Sequence, residues 1–184
     1  MDYAYEIGTI NELFQAVAAR TGSSALWLEE SGSCAFEYRG TFVRVEFAAS
    51  AEMLQFSAPL TGVHGLVPEG SETDLFRLLL SLNLSHADLM GANFALLPSD
   101  DLVVLQDRVS VRQLDAAILE ARLAGFLYLV EIWSARLLRA ESLEALAAPL
   151  EREDVDEMDM QLLTEVPEAG ETAAESMENA WIRG

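Results

Sequence analysis

Two histidines, His64 and His86, are the only imidazoles available for acid–base or metal chemistry. They fall in a loop and near a helix end. Neither has a cysteine or carboxylate at a spacing that would build a zinc site, and an isolated histidine is more often structural. Cys34 is the only cysteine, which rules out an intrachain disulfide and a thiolate cluster. It alternates with Phe36 and Tyr38 and has no basic neighbour to favour a thiolate, so it reads as a small core residue. Asp154, Asp156 and Asp159 resemble the start of a calcium loop. Met158 occupies the third ligand position, however, and the required glycine is missing, which leaves a solvated acidic run. Asp100-Asp101 reads as a turn pair. The chain has no G-x-S-x-G, P-loop or G-x-G-x-x-G motif. With no lysine and two histidines the palette for proton transfer is thin. The enzymatic alternative is dispersed acidic catalysis by carboxylates such as Glu37 or Asp107. No catalytic, cofactor or metal site is assigned, and binding is the leading reading.

The 184 residues include 31 acids and 11 bases, all arginine, for a formal net charge of -20. Hydrophobic residues make up 51% of the chain, enough for a packed core. A folded body of this size buries roughly 68–70% of the surface its unfolded chain exposes. Such acidity repels nucleic acid and anionic lipid, because affinity for both rests on basic patches. Leu123 to Leu138, the most apolar run, is interrupted by Glu131 and Arg136 and is too short to span a bilayer. Asp2 and Glu6 stand where a secretory signal would carry positive charge. The expectation is a cytoplasmic protein with neither a nucleic-acid nor a membrane partner.

Residues able to bind must be positioned by elements legible in the spacing. Thr9 and Glu12 fit a capping box that opens a first helix. Ile10, Leu13, Phe14 and Val17 then form one apolar stripe, and Gly22 ends it. Strands follow. Leu26 and Leu28 alternate with Trp27. Cys34, Phe36 and Tyr38 oppose Ala35, Glu37 and Arg39. Val43, Val45 and Phe47 oppose Phe42, Arg44 and Glu46. Leu54, Phe56, Ala58 and Leu60 continue the two-residue period, and short loops favour an antiparallel meander. Ser71 and Asp74 propose a second capping box, opening a helix with Leu75, Leu78, Leu79 and Leu82 on one side. Phe76, Leu80 and Leu84 widen that surface, so more than one side is expected to be covered. Two further strands, Asn93–Leu97 and Leu102–Asp107, precede a third helix that opens at Ser110 and Gln113, with Val109 stapled onto Leu114. It runs to about Ala140, with Leu114, Ile118, Leu129, Ile132 and Trp133 as core candidates. The continuous apolar run Leu102–Leu105 is expected to be in contact on both faces.

Beyond Glu141 the character changes. Residues 148–184 hold eleven acids against Arg152 and Arg183, a charge of -9 that leaves -11 on the body. The expected division is a folded α+β domain over residues 1–140 and an acidic extension over 141–184, partly helical or disordered.

The order helix, three or four strands, helix, two strands, helix resembles the class I chaperones of bacterial type III secretion, the Tir-chaperone (CesT-like) family. Leu54-Gln55-Phe56-Ser57-Ala58-Pro59-Leu60, leading through Gly62 and Gly65, resembles that family's third strand and following loop. The stretch from Asp74 to Leu84 resembles its leucine-rich second helix. Ala92 to Leu96 and Leu102 to Leu105 resemble its paired fourth and fifth strands, and Phe126 and Trp133 sit on a long last helix. The resemblance covers roughly residues 5–140 and leaves the acidic tail unexplained. It implies an antiparallel sheet of five to six strands with three helices, in a homodimer that binds the N-terminal segment of a cognate secreted effector. The effector is kept extended and secretion-competent without ATP hydrolysis by the chaperone, and the secretion-system ATPase is a further implied partner. No cofactor is implied.

Two surfaces are expected. Leu13, Phe14 and Val17 on the first helix, with Trp27 and Phe42, are assigned to effector capture. Leu75, Leu79, Phe94, Leu96, Leu102 and Val104 are assigned to dimerisation. A chaperone-fold regulator that sequesters a transcriptional regulator would use the same surfaces, and an acidic α+β protein with no secretion role would share the fold.

Overall fold

A computed structural model describes residues 3–148 except 23, 25, 69, 85–88, 98–99 and 140–141. His86, Pro98, Ser99 and the acidic tail from residue 149 onward therefore lie outside the described residues.

The chain forms helix α1 (Tyr3–Thr21), strands β1 (Ser33–Tyr38), β2 (Thr41–Ala48) and β3 (Met53–Gly62), and helix α2 (Glu72–Leu82). Strands β4 (Asn93–Leu97) and β5 (Leu102–Ser110) follow, then the long helix α3 (Ala116–Arg139) and the short α4 (Leu143–Ala147). The five strands make one antiparallel sheet in the order β1-β2-β3-β5-β4. The first three strands form the expected meander, and β5 then pairs with β3, which leaves β4 at the far edge.

Alternation decides which face is covered. Cys34, Phe36, Tyr38, Val43, Val45, Phe47, Leu54, Phe56 and Ala58 are all buried on one face. Helix α3 lies over β3 and packs against α1 on that side. The middle of α3 supplies Phe126, Leu127, Leu129, Val130 and Trp133 to the core. Phe56 meets Phe126 with ring centroids 5.8 Å apart, and Phe94 meets Trp133 edge-on at 4.9 Å. Val103, Val104 and Leu105 are all buried, so the continuous apolar run is in contact on both faces.

Several local expectations are corrected. Helix α1 begins at Tyr3, six residues before the proposed cap, so Thr9 is a helix-interior residue whose hydroxyl donates to the carbonyl of Tyr5 at 3.0 Å. Tyr3 explains the longer helix: its ring stacks on Phe47 and its hydroxyl donates to the carbonyl of Ser31 at 2.7 Å. Gly22 ends α1 in the left-handed region at φ +73°, as its type suggests. Ser71 precedes α2 without a side-chain cap bond; instead the amide of Gly70 donates to Glu72. The proposed helix start at Ser110 is displaced to Ala116, because β5 runs on to Ser110 and a single 3-10 turn (Val111–Gln113) follows. Asp115 provides the cap, accepting from the amide of Ile118 at 2.8 Å. Within this helix Ile118 is exposed, and Leu119 and Leu123 are core in its place.

Leu26–Leu28 belongs to no described strand, against the expectation. The carboxamide of buried Asn11 supplies the missing partner, donating to the carbonyl of Leu28 at 3.0 Å and accepting from its amide at 2.8 Å. Asn83 at the end of α2 does the same for Phe94 on the outer edge of β4, at 3.0 and 2.7 Å. Helix α4, beyond residue 140, packs against α2 and buries Leu146. Arg136 holds it by donating to the carbonyls of Ala145 and Ala148.

Candidate binding surfaces

The chemistry that enzymes use is dispersed. Cys34 is buried, and burial pushes its thiol up to about 12, against an opposing hydrogen bond from the Trp27 backbone. It is a core residue with a thiol locked in its neutral form. His64 pairs with Asp101 across 2.9 Å on an exposed turn, and no group of three metal-ligating side chains exists among the described residues. Asp107 is buried on the helix-covered face, where Arg122 donates to it at 3.0 Å. Burial raises its pKa above the ordinary carboxylate range, while the Arg122 guanidinium and the Arg108 amide pull it the other way. Glu37 pairs in register with Phe42 on the opposite, outward face of the sheet. The sheet stands between these two carboxylates, so they cannot converge on one substrate.

What the fold does offer is exposed apolar surface beside the edge of a sheet. With Leu26 and Leu28 both buried and Leu28 clamped by Asn11, the intervening Trp27 must point outward, and it is 51% exposed. The edge strand β1 lies close by. Its Ser33 carbonyl, on the side away from β2, accepts from the amide of Glu29. Two-residue alternation puts the N–H and C=O groups of Ala35 and Glu37 on the same open side. No described strand pairs there. Of the other residues assigned to capture, Phe14 and Val17 are core and Leu13 is half-buried on the helix layer. Phe42 is half-buried on the outward sheet face, so the structure separates it from Leu13 by the thickness of the sheet.

A second apolar region lies where α2 meets β4. Leu80 is 65% exposed, Leu84 81% and Leu96 37%, and Asn83 ties the end of the helix to the strand between them. Among the residues assigned to dimerisation, Leu75, Leu79, Phe94 and Val104 are buried within the single chain, Leu102 is half-buried, and Leu96 reaches the surface. Leu80 and Leu84 present more apolar area than any of those six, and their four-residue spacing was already visible in the sequence.

A family model resolves which proteins are built this way: the Tir chaperone protein (CesT) family matches residues 12–134. The chain belongs to the Tir chaperone protein (CesT) family. Its matched region runs from α1 through Trp133 on α3 and takes in every strand. A chain in the crystal structure of the ExsC-ExsE complex is 26% identical, with a TM-score of 0.60 over 73% of this chain and 98% of that one. A chain in the structure of the HopA1-SchA chaperone-effector complex has the same fold at 15% identity, with a TM-score of 0.56 over 73% of this chain and 98% of that one. No curated protein matches. As a member of this family the protein is an α+β chaperone. No helix among the described residues is long and apolar enough to cross a membrane.

Proposed function

We propose that this protein is a type III secretion chaperone, working in the cytoplasm as a homodimer and without enzymatic activity. It binds the N-terminal segment of a cognate effector and keeps it extended for secretion. The observation that carries the reading is the family match, which spans the whole sheet and the helices covering it.

The physical route follows from the exposed surfaces. An extended effector segment adds backbone hydrogen bonds along the open side of β1 at Ala35 and Glu37, while one of its apolar side chains packs against Trp27. Ordering that segment consumes about 2–5 kcal/mol of the gross interaction energy, so apolar burial has to accompany the backbone bonds. Trp27 suits this role because the clamp on its neighbour Leu28 already restricts the chain that carries it, so little entropy is lost when a partner arrives. The leucines of α2 and β4 are assigned to self-association, with Leu80, Leu84 and Leu96 meeting their copies across a two-fold axis. Charge also fits: the acidic body favours basic and apolar polypeptide over nucleic acid.

The test is affinity capture of the full chain from its native cell, with the bound partner and its protected segment identified by mass spectrometry. A stoichiometric partner protected near its own N-terminus is expected, and Trp27→Ala should weaken its retention by about ten-fold, as loss of a central aromatic contact does. Retention unchanged by that substitution would remove Trp27 from the capture surface.

A further inference from the structure

The Arg122 guanidinium joins three separate partners. It donates to the Asp107 carboxylate on β5 at 3.0 Å, to the Arg108 carbonyl at 3.1 Å, and to the Met90 carbonyl at 3.2 Å. Met90 opens the tight turn that launches β4. Its φ is +48° and that of Gly91 is +93°, two successive left-handed residues of which only one is glycine. A Cβ on Gly91 would sit 3.1 Å from the Arg122 guanidinium, so the backbone approaches that group as closely as a glycine permits. Leu89 and Ala92, on either side of the turn, are buried in the core and Met90 packs against that core, so packing and hydrogen bonds together hold the turn. A cavity of about 70 Å³ lies beside it, lined by Met90, Asp107, Arg122, Gly125, Phe126 and Leu129. Beside that free volume, the hydrogen bond from Arg122 to the Met90 carbonyl adds a directional hold that van der Waals contact does not supply.

We infer that Arg122, anchored by Asp107, is a clasp that positions the root of β4 and through it the self-association face. The chain of contacts is continuous. Arg122 fixes Met90 and Gly91, β4 begins three residues after Met90, and Asn83 joins the outer edge of β4 to α2. Leu96 projects from that strand, and Leu80 and Leu84 flank Asn83 on the chain. Without the clasp, β4 keeps its pairing with β5 but loses the fixed start that aligns Leu96 with the α2 leucines. An ion pair with one buried partner, as here, is a poor source of net stability compared with apolar packing, and setting one geometry among several is its better-attested use. This inference rests on the proposed dimer face, and its test is chosen to separate the two.

The test compares the full-length protein with Arg122→Met and Asp107→Asn, reading hydrogen exchange by segment and self-association by sedimentation. Loss of a charge-assisted clasp should speed exchange of residues 89–97 by about ten-fold or more in Arg122→Met, leaving β2 and β3 unchanged. The dimer dissociation constant should rise in step by about ten-fold. Asp107→Asn, which keeps the shape and a neutral acceptor, should fall between wild type and Arg122→Met in both readouts, and it serves alone if Arg122→Met fails to fold. Unchanged exchange at 89–97 would overturn the clasp. So would equal acceleration in every segment, since that marks a general structural role. A wild type that stays monomeric at all concentrations overturns the dimer face and the control assigned to Arg122 over it, while the exchange pattern still decides whether the turn is clasped.

Discussion

Asn11 and Asn83 each place one carboxamide against both backbone groups of a single residue, Leu28 and Phe94 respectively. Each does the work of a neighbouring strand at a place where no described strand pairs. Replacing either by leucine keeps the branched shape and leaves an amide and a carbonyl unpaired. Asn11→Leu should therefore destabilise by about 2–4 kcal/mol and Asn83→Leu, in a half-exposed site, by less, because the loss is the desolvation of two backbone groups. Urea unfolding measures both, and a shift under half a kcal/mol for Asn11→Leu would show that Leu28 finds other partners. Asp107 gives a second prediction at this scale. Its folded pKa is raised above 3.8 chiefly by burial, so the folded state binds its proton more tightly than the unfolded state. Its contribution to stability is then fully present below pH 3.8 and is lost as pH rises through the raised value. Relative to Asp107→Asn, the wild type should gain stability as pH falls from neutrality towards 3.8; a relative loss over that range would mean that Arg122 outweighs burial. Neither asparagine was recognised from its position. One polar residue in a helix stripe is indistinguishable from a solvated one until the chain it faces is known.

The elements show where periodicity suffices. The strand alternations from Cys34 to Phe56 and the leucine spacing of α2 are realised as read, because one buried face per element forces the pattern. Helix starts were less legible. Thr9 and Ser110 both carry capping sequences that the structure passes over, since Tyr3 extends α1 by stacking on Phe47 and β5 pairs with β3 up to Ser110. Tertiary partners outweigh a local cap that contributes only about 1 kcal/mol. The candidate surfaces were half legible for a related reason: alternation identifies Trp27 as outward-facing, but it cannot tell that the Phe14 and Val17 stripe is covered by the chain's own core. Exposure moves the self-association assignment on α2 towards Leu80 and Leu84. Leu80→Glu combined with Leu84→Glu should make the protein monomeric in light scattering while its circular dichroism stays that of the folded chain, because both side chains are already in water in the single chain. A dimer that survives both substitutions would place the interface elsewhere.

At the scale of the molecule, the charge of -20 is divided between a folded body and the acidic stretch 148–184. Family membership accounts for residues 12–134 and says nothing of that stretch. Its -9 charge motivates a role in attracting a basic effector segment. Deleting residues 148–184 should weaken effector binding at low salt and flatten its salt dependence, whereas identical affinity across ionic strength would mark a passive extension. The central claim is that the folded body holds the N-terminal segment of a secreted protein in an extended form. The most direct measurement is residue-resolved hydrogen exchange of the full chain, with and without the N-terminal segment of its captured partner. Protection appearing at the amides of Ala35 and Glu37, together with a bound segment lacking helical signature, is the predicted result. Tight binding with those β1 amides left unprotected, or no binding at all by a monomeric protein, would contradict it.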